Sequence, residues 1–344
     1  MRELKNLEDI KEIKIAPGRI FHSATHEEIR SGATTDIYFI RTRELLHRAG
    51  KEKLSAVAEI FSSRAGIFAG IEEVCGLLRD RGVSLHALKE GEEMKAKEVV
   101  ARISGPYDRY GFYETVILGM LASASGWATA ARDCCEAARG KPVLCFGARH
   151  LHPAVAPVME RAAVIGGAED CSCILGARLL RRQPAGTVPH AAILLIGDTV
   201  ETALLYDRFM PEEAARIILA DTFKDEAEES LRLAEALKDR LHGIRLDTPK
   251  ERGGVTPALV KEVRARLDQA GFKHVQIFVS GGVTLERMPG LVAAGADAFG
   301  IGSYIAGARA INMTMDLKEI EGRPVAKRGR IPGLTESSRL VKYL

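Results

Sequence analysis

Two glycine-rich segments follow apolar, β-branched runs in the last quarter of the 344-residue chain. Glycine has no Cβ, so its backbone N–H can approach an anion closely, and the start of a following helix adds a favourable dipole. The two segments therefore predict a phosphate site, with two tight turns that bind nothing as the alternative. The residues concerned are Ser280, Gly281 and Gly282 in VQIFVSGG, and Gly300, Gly302 and Ser303 in DAFGIGS.

An arginine and a carboxylate end a third apolar run, GIRLDT. Arg245 and Asp247 are two residues apart, so they lie on the same side of an extended chain. A guanidinium binds carboxylate or phosphate in a bidentate manner, and a carboxylate holds sugar hydroxyls or Mg²⁺. This pair predicts binding of an anionic sugar, and a purely structural ion pair is the alternative.

Further polar and aromatic residues stand just beyond other apolar runs. An aromatic face beside a fixed cation suits a flat, charged ring, and a histidine in a Gly/Pro turn is not expected to be core filling. Together these residues suggest a phosphorylated sugar substrate. They are Phe146, Arg149 and His150 in FGARHLHP, Thr187 and His190 in AGTVPHA, and Asp221 in ILADTF.

The elements that must position these residues alternate regularly from about residue 141. Seven apolar runs start roughly 20 to 30 residues apart, the length of one βα unit: PVLCFGAR, EDCSCILGA, HAAILLIGD, ARIILADTF, HGIRLDT, VQIFVSGG and DAFGIGS. Helical patterns lie between them, at 225–241 and at 256–271 with Thr256 as N-cap. This alternation predicts a parallel α/β barrel, in which phosphate commonly binds after the last two strands. A doubly wound open sheet is the alternative.

The first 125 residues have a different pattern. Short alternating runs separated by glycine and charged turns predict a small antiparallel sheet, and an Ala-rich stretch from Arg109 predicts a long linking helix. We therefore expect an α+β domain over 1–125, a catalytic barrel over 126–311, and a segment over 312–344 that packs on the N-terminal domain.

Composition excludes several classes of protein. The 49 basic and 46 acidic residues give a net charge of +3, which argues against a strongly electrostatic nucleic-acid binder. We find no apolar run of about 18 residues and no secretory pattern at the charged N-terminus, so we expect no membrane association. The six cysteines form no C-x-x-C pair and are expected to be reduced, buried thiols of a cytoplasmic protein.

At this point the motifs match a known family. The chain resembles nicotinate phosphoribosyltransferases, particularly the shorter archaeal-type members of the type II phosphoribosyltransferase group. The matching segments, in the family's order, are TTDIYF (34–39), GPY (105–107) with YET (113–115), FGARHLHP (146–153), GTVPHA (186–191), RLDT (245–248), FVSGG (278–282) and GIGS (300–303).

The resemblance implies a fold and a reaction. The fold is an irregular parallel α/β barrel with an N-terminal α+β open-faced sandwich. The reaction joins nicotinate to 5-phosphoribosyl 1-pyrophosphate, giving nicotinate mononucleotide and pyrophosphate with Mg²⁺. Some relatives couple it to ATP hydrolysis through a phosphorylated histidine, which corresponds to His190.

The resemblance also implies roles for individual residues. Tyr38 would stack on the pyridine ring from a second subunit, in a homodimer or larger assembly, and Phe146 would cover the other face. Arg149 and Arg245 would hold the pyrophosphate side and the nicotinate carboxylate, in an order left open. Asp247 would contact the ribose hydroxyls and Mg²⁺, with Asp221 a second metal candidate. The glycines Gly281, Gly282, Gly300 and Gly302, with Ser280 and Ser303, would bind the 5′-phosphate.

One segment departs from the family pattern. Where the family has G-G-x-D-G-x-S, this chain has GGAEDCS (166–172), which puts the pocket edge at Ser172 in question. Three alternatives stay open: a related enzyme acting on quinolinate, which should require more basic residues around its dicarboxylate; one acting on nicotinamide; and a non-catalytic barrel that only binds the sugar phosphate.

Overall fold

The computed structural model describes residues 2–344 and divides the chain into two compact units. Unit 1 combines the residues up to Thr129 with Arg309–Leu344, and unit 2 is Ala130–Ala308. The C-terminal segment therefore belongs to the same unit as the N-terminal residues.

Fourteen strands occur within the described residues. In chain order they are β1 (Ser55–Ser62), β2 (Gly66–Ile67), β3 (Ser84–Ala87), β4 (Glu93–Met94), β5 (Val99–Pro106), β6 (Val143–Cys145), β7 (Asp170–Cys171), β8 (Ile217–Leu219), β9 (Gly243–Leu246), β10 (Gln276–Val279), β11 (Ala298–Ile301), β12 (Met313–Ile320), β13 (Arg323–Pro324) and β14 (Val341–Lys342).

Thirteen α-helices occur in the same residues. They are α1 (Leu7–Lys11), α2 (His26–Ser31), α3 (Ile37–Arg48), α4 (Ile71–Leu78), α5 (Glu114–Ala137), α6 (Ala156–Gly166), α7 (Ile174–Leu179), α8 (His190–Ile196), α9 (Thr199–Phe209), α10 (Glu226–Leu237), α11 (Pro257–Gln269), α12 (Met288–Ala293) and α13 (Ser303–Ala306).

Unit 1 contains an antiparallel sheet with the strand order β13-β12-β1-β5-β3-β14. The central strand β1 pairs with β12 on one side and β5 on the other, so a strand from the end of the chain lies beside one from its beginning. Buried side chains of the sheet, such as Ile60, Leu85 and Ile103, pack in one core with apolar residues of α3, α4 and α5. The predicted antiparallel sheet and the long Ala-rich helix are confirmed.

Unit 2 contains a parallel sheet with the strand order β7-β6-β11-β10-β9-β8. Its outer strands, β7 and β8, do not pair with each other anywhere in residues 2–344, so the sheet is a half-barrel and not a closed ring. Several strands are buried along their length, β8 and β11 completely, as expected of a covered parallel sheet. The predicted α/β fold class is confirmed, in this open form.

One of the seven predicted strands is wrong. The run HAAILLIGD forms the helix α8, which follows Pro189 and ends at Gly197 in the left-handed region, with φ +99°. A short, continuous apolar run does not distinguish a strand from a helix by its period. This run is also not buried in a sheet, since Leu195 is 88% exposed.

The helices between the strands follow their sequence signals closely. Helix α11 begins after Thr256, whose side chain accepts a hydrogen bond from the Leu259 N–H, and has Pro257 as its first residue. Gly271 lies just beyond its end in the left-handed region, with φ +90°.

Within residues 2–344 no helix is both long and apolar enough to cross a membrane.

Candidate active site

Arg245 is the centre of a polar cluster at the carboxyl ends of the parallel strands of unit 2. Its Nε donates to Ser280 Oγ at 2.8 Å, its Nη1 to Thr187 Oγ1 at 2.9 Å, and its Nη2 to Asp247 Oδ2 at 3.1 Å. Its guanidinium carbon also lies 5.1 Å from the centre of the Phe146 ring. Burial lowers the pKa of Arg245, while the Asp247 charge opposes that shift. Five predicted site residues from four segments of the sequence therefore meet in one place.

The Ser280-Gly281-Gly282 segment approaches Asp247 so closely that only glycine fits at 281. Gly281 has φ +81°, and a Cβ built on it would lie 2.5 Å from Asp247 Oδ1. Gly282 also has a positive φ of +66°, and its Cβ position would lie 3.4 Å from Cε of Lys250. Lys250 is a cation beside this corner that sequence reasoning missed, because it begins a short 3-10 helix, Lys250–Arg252, that has no motif of its own.

The glycines of the second segment, Gly300 and Gly302, are required for a different physical reason. Gly300 is buried within β11, and a Cβ there would lie 2.6 Å from atoms of the Phe146 ring. At Gly302 a Cβ would lie 2.6 Å from the Phe146 carbonyl oxygen and 3.1 Å from His150 Nε2. Neither glycine has a positive φ. The absent side chains thus make room for protein atoms, and phosphate binding by this segment stays a prediction.

His190 pairs with a carboxylate at the end of the neighbouring strand. Its Nε2 lies 3.1 Å from Asp221 Oδ1, and this hydrogen bond is the main reason that the pKa of His190 is raised. The Asp221 side chain is only 1% exposed, whereas that of His190 is 39% exposed. Asp221 Oδ2 is buried without a hydrogen-bond partner in the part of the chain that the structure describes. The imidazole is thus held on one edge and accessible on the other.

Two further predicted residues follow the neighbouring strands β6 and β7. Arg149 is exposed, in the turn that follows β6, while the Ser172 hydroxyl donates to a carboxylate oxygen of Glu160 at 3.1 Å. Glu160 was not predicted. The available signal was a single acidic residue in the otherwise largely apolar helix α6, APVMERAAVIG.

Tyr38 lies in unit 1, where it is 54% exposed near the start of α3. It lines a cleft of about 290 Å³ together with Asp36, Glu114 and Thr115. Thr115 donates its hydroxyl to Asp36 at 2.9 Å, so the TTDIYF and YET motifs meet at this cleft. Burial, with the nearby Asp316 charge, raises the pKa of Glu114 to about 7.

The donor set at the Arg245 cluster limits how Mg²⁺ could bind. Within residues 2–344 no group of three or more histidine, cysteine or acidic side chains is arranged to hold a metal ion. Asp247 is 19% exposed and fits the usual mode, in which one or two carboxylates and the substrate's phosphate oxygens share the ion. Asp221 fits poorly, since one oxygen is bonded to His190 and the other is buried.

Comparison with known proteins places the chain in a family. The N-terminal domain of quinolinate phosphoribosyl transferase matches residues 36–125, and the C-terminal domain of the same family matches residues 127–316. The chain belongs to the quinolinate phosphoribosyltransferase family. The predicted resemblance to type II phosphoribosyltransferases is therefore confirmed, whereas its restriction to the nicotinate-specific type is not.

Some relatives of this phosphoribosyltransferase-family chain are named nicotinate phosphoribosyltransferase, and others are named nicotinate-nucleotide pyrophosphorylase [carboxylating]. Nicotinate phosphoribosyltransferase pncB2 of Mycobacterium tuberculosis is 30% identical over 69% of this chain and 51% of its own length. Human nicotinate-nucleotide pyrophosphorylase [carboxylating] is 27% identical over 70% of this chain and 74% of its own. The chain thus spans about half the length of the mycobacterial relative.

A solved structure covers more of the chain. The crystal structure of nicotinate-nucleotide pyrophosphorylase from Pyrococcus furiosus is similar with a TM-score of 0.87 and 42% identity, over 92% of this chain and 82% of that one. Its name, like those above, describes that protein and leaves the pyridine substrate of the present chain to be proposed.

Proposed function

We propose that the chain transfers a phosphoribosyl group from 5-phosphoribosyl 1-pyrophosphate to a pyridine carboxylate, with nicotinate as the acceptor. The product would be nicotinate mononucleotide, a precursor in NAD biosynthesis. The observation that carries the proposal is the half-buried Arg245, held by Ser280, Thr187 and Asp247 next to the Phe146 ring. This arrangement places an anion-binding group, a carboxylate and an aromatic face within one cluster.

The charges of this cluster suit the chemistry. Breaking the anomeric C–O bond builds positive, oxocarbenium-like character on the ribose while negative charge develops on the departing pyrophosphate. Asp247 would stabilise the sugar and its hydroxyls, and Arg245 beside it would stabilise the leaving group. Mg²⁺, when bound through Asp247 and the substrate, would neutralise part of the pyrophosphate charge.

The acceptor needs orientation more than activation. The pyridine nitrogen is nucleophilic at neutral pH, so no general base is required. A ring stacked on Phe146, with its carboxylate held by a guanidinium, would be aimed at the anomeric carbon. We assign the second face to Tyr38 of another subunit, which makes the active species at least a homodimer. A monomeric, fully active protein in sedimentation velocity would contradict that assignment.

The number of positively charged side chains available for a ligand is our argument for nicotinate over quinolinate. Arg245 already donates to three protein groups, whereas Arg149 is exposed and makes no hydrogen bond or ion pair within residues 2–344. One free guanidinium suits one carboxylate. Quinolinate, a dicarboxylate, is the second candidate, and the family description and the carboxylating human relative favour it.

A substrate panel tests the proposal. Purified protein with Mg²⁺ and 5-phosphoribosyl 1-pyrophosphate is offered nicotinate, quinolinate or nicotinamide, and pyrophosphate and CO₂ release are measured with and without ATP. We expect pyrophosphate release with nicotinate and no CO₂. Release of both products with quinolinate alone would establish the second candidate, because that acceptor must lose a carboxyl group.

The same panel covers the remaining outcomes. Stimulation by ATP would support a phosphorylated His190, whereas equal rates with and without ATP would exclude coupling. Binding of ribose 5-phosphate without pyrophosphate release from any pyridine would refute the enzyme and favour a non-catalytic sugar-phosphate binder.

A further inference from the structure

Glu160 is a buried carboxylate on which four hydrogen-bond donors converge. It lies in the middle of α6 and is 0% exposed. Its Oε1 accepts from the backbone N–H groups of Gly147 and Ala148, each at 2.9 Å, and from the Ser172 hydroxyl at 3.1 Å. Its Oε2 accepts from the Cys173 N–H at 2.5 Å. An ionised carboxylate has only acceptor sites, so this ring of donors matches it completely.

These donors come from two different segments of the site. Gly147 and Ala148 follow β6 and directly connect Phe146 to Arg149, whereas Ser172 and Cys173 follow β7. The two strands are parallel neighbours, and the Ser172 N–H donates to the Cys145 carbonyl at 3.1 Å. Glu160 therefore ties together the two segments that carry the predicted acceptor contacts.

Packing shows that the first segment has little freedom against α6. A Cβ on Gly147 would lie 2.5 Å from Cε of Met159, the residue before Glu160. The Phe146 ring is in turn pressed against Gly300 of β11. The Phe146 ring therefore packs on β11, and the backbone that follows it is hydrogen-bonded to Glu160.

We propose that Glu160 is the positioning residue of the acceptor half of the site. It fixes the aromatic face of Phe146 and the Arg149 turn relative to Ser172, so that a bound pyridine is presented in one orientation. This inference rests on the proposed function, since it takes those residues as acceptor contacts. It does not extend to the donor half, because the hydrogen bonds of Glu160 come from the segments after β6 and β7 and not from the Ser280 segment.

The test uses Glu160→Gln, which keeps the size of the side chain but replaces one acceptor oxygen with an NH₂ group facing donors. We expect kcat/KM for the pyridine to fall by about a hundredfold, the usual order for a misplaced contact. The Kd for ribose 5-phosphate, measured by calorimetry, should change by less than about twofold, because the sugar-phosphate side is held by other residues. A purely structural role would weaken both.

Glu229→Gln is the matched control. Glu229 is another fully buried helix carboxylate, and it pairs with Arg232 in α10, away from the cluster. We expect both variants to lose stability but only Glu160→Gln to lose pyridine kcat/KM. If Glu160→Gln does not fold, Glu160→Asp enters the same assays with the same expected split.

The outcomes separate the two proposals. Turnover by the wild type with unchanged pyridine kinetics in the Glu160 variant would overturn the positioning role alone, as would an equal loss of ribose 5-phosphate binding. Absence of turnover by the wild type with every pyridine would instead overturn the proposed function.

Discussion

Replacing Gly281 with alanine tests how the glycine corner and the carboxylate depend on each other. The substitution has two separable effects. A side chain at φ +81° costs about 1–2 kcal/mol of folding free energy, because the left-handed region is strained for any residue with a Cβ. The new methyl would also lie 2.5 Å from Asp247 Oδ1, so the carboxylate must move.

Movement of Asp247 has a cost of its own. Its hydrogen bond with Arg245 is 3.1 Å long and both side chains are less than 20% exposed, so its loss is worth about 1.5–3 kcal/mol. We therefore expect Gly281→Ala to lower the free energy of unfolding by about 2.5–5 kcal/mol. Turnover should fall about a hundredfold, because the displaced carboxylate no longer faces the sugar.

Gly271→Ala shows the first effect alone, so the difference between the two variants gives the second effect. Gly271 has φ +90° but no atom within 4 Å of its Cβ position, so this variant has the backbone strain without the clash. Urea denaturation and pyrophosphate release are measured for both variants. Equal losses of stability and full activity in Gly281→Ala would refute the coupling between the glycine corner and Asp247.

Two further predictions concern the carboxylates of the cluster. Asp247→Asn should fold normally and lower kcat by about a hundredfold, since an amide cannot stabilise the developing charge, and near-normal kcat with an unchanged Tm would contradict this role. Asp221→Asn should lower the pKa of His190 towards its ordinary value of 6.5, as measured by NMR titration of the imidazole, and an unchanged pKa would be inconsistent with the pair. Because the pKa of His190 is raised in the folded state, the pair stabilises most below the ordinary value and least once the pH has passed the folded pKa. The difference in Tm between wild type and Asp221→Asn should therefore shrink as the pH rises from 6.5 through the raised pKa of the folded state.

Much of the fold followed from local patterns. The alternation of apolar runs and helical segments indicated parallel βα units, and Thr256, Pro257 and Gly271 marked the ends of α11 because capping depends on neighbouring residues only. The run HAAILLIGD was misassigned because a local apolar pattern fits a strand and a helix equally well. Its exposed position, which only the tertiary structure shows, rules out a buried strand.

The candidate site also has one part that the sequence determines and another that depends on the tertiary structure. By itself the sequence determined which residue types end the strands, among them Arg245, Asp247 and the Ser280 segment, since each motif is contiguous. Only the tertiary structure decided how they act on one another, because strands far apart in the chain become neighbours in a parallel sheet. Glycine is required at 281 because the Asp247 carboxylate lies against it, and at 300 because the Phe146 ring does. Neither neighbour belongs to the motif that contains the glycine. The role of Glu160 could not be predicted from any motif, because its hydrogen-bond donors come from two other segments of the chain.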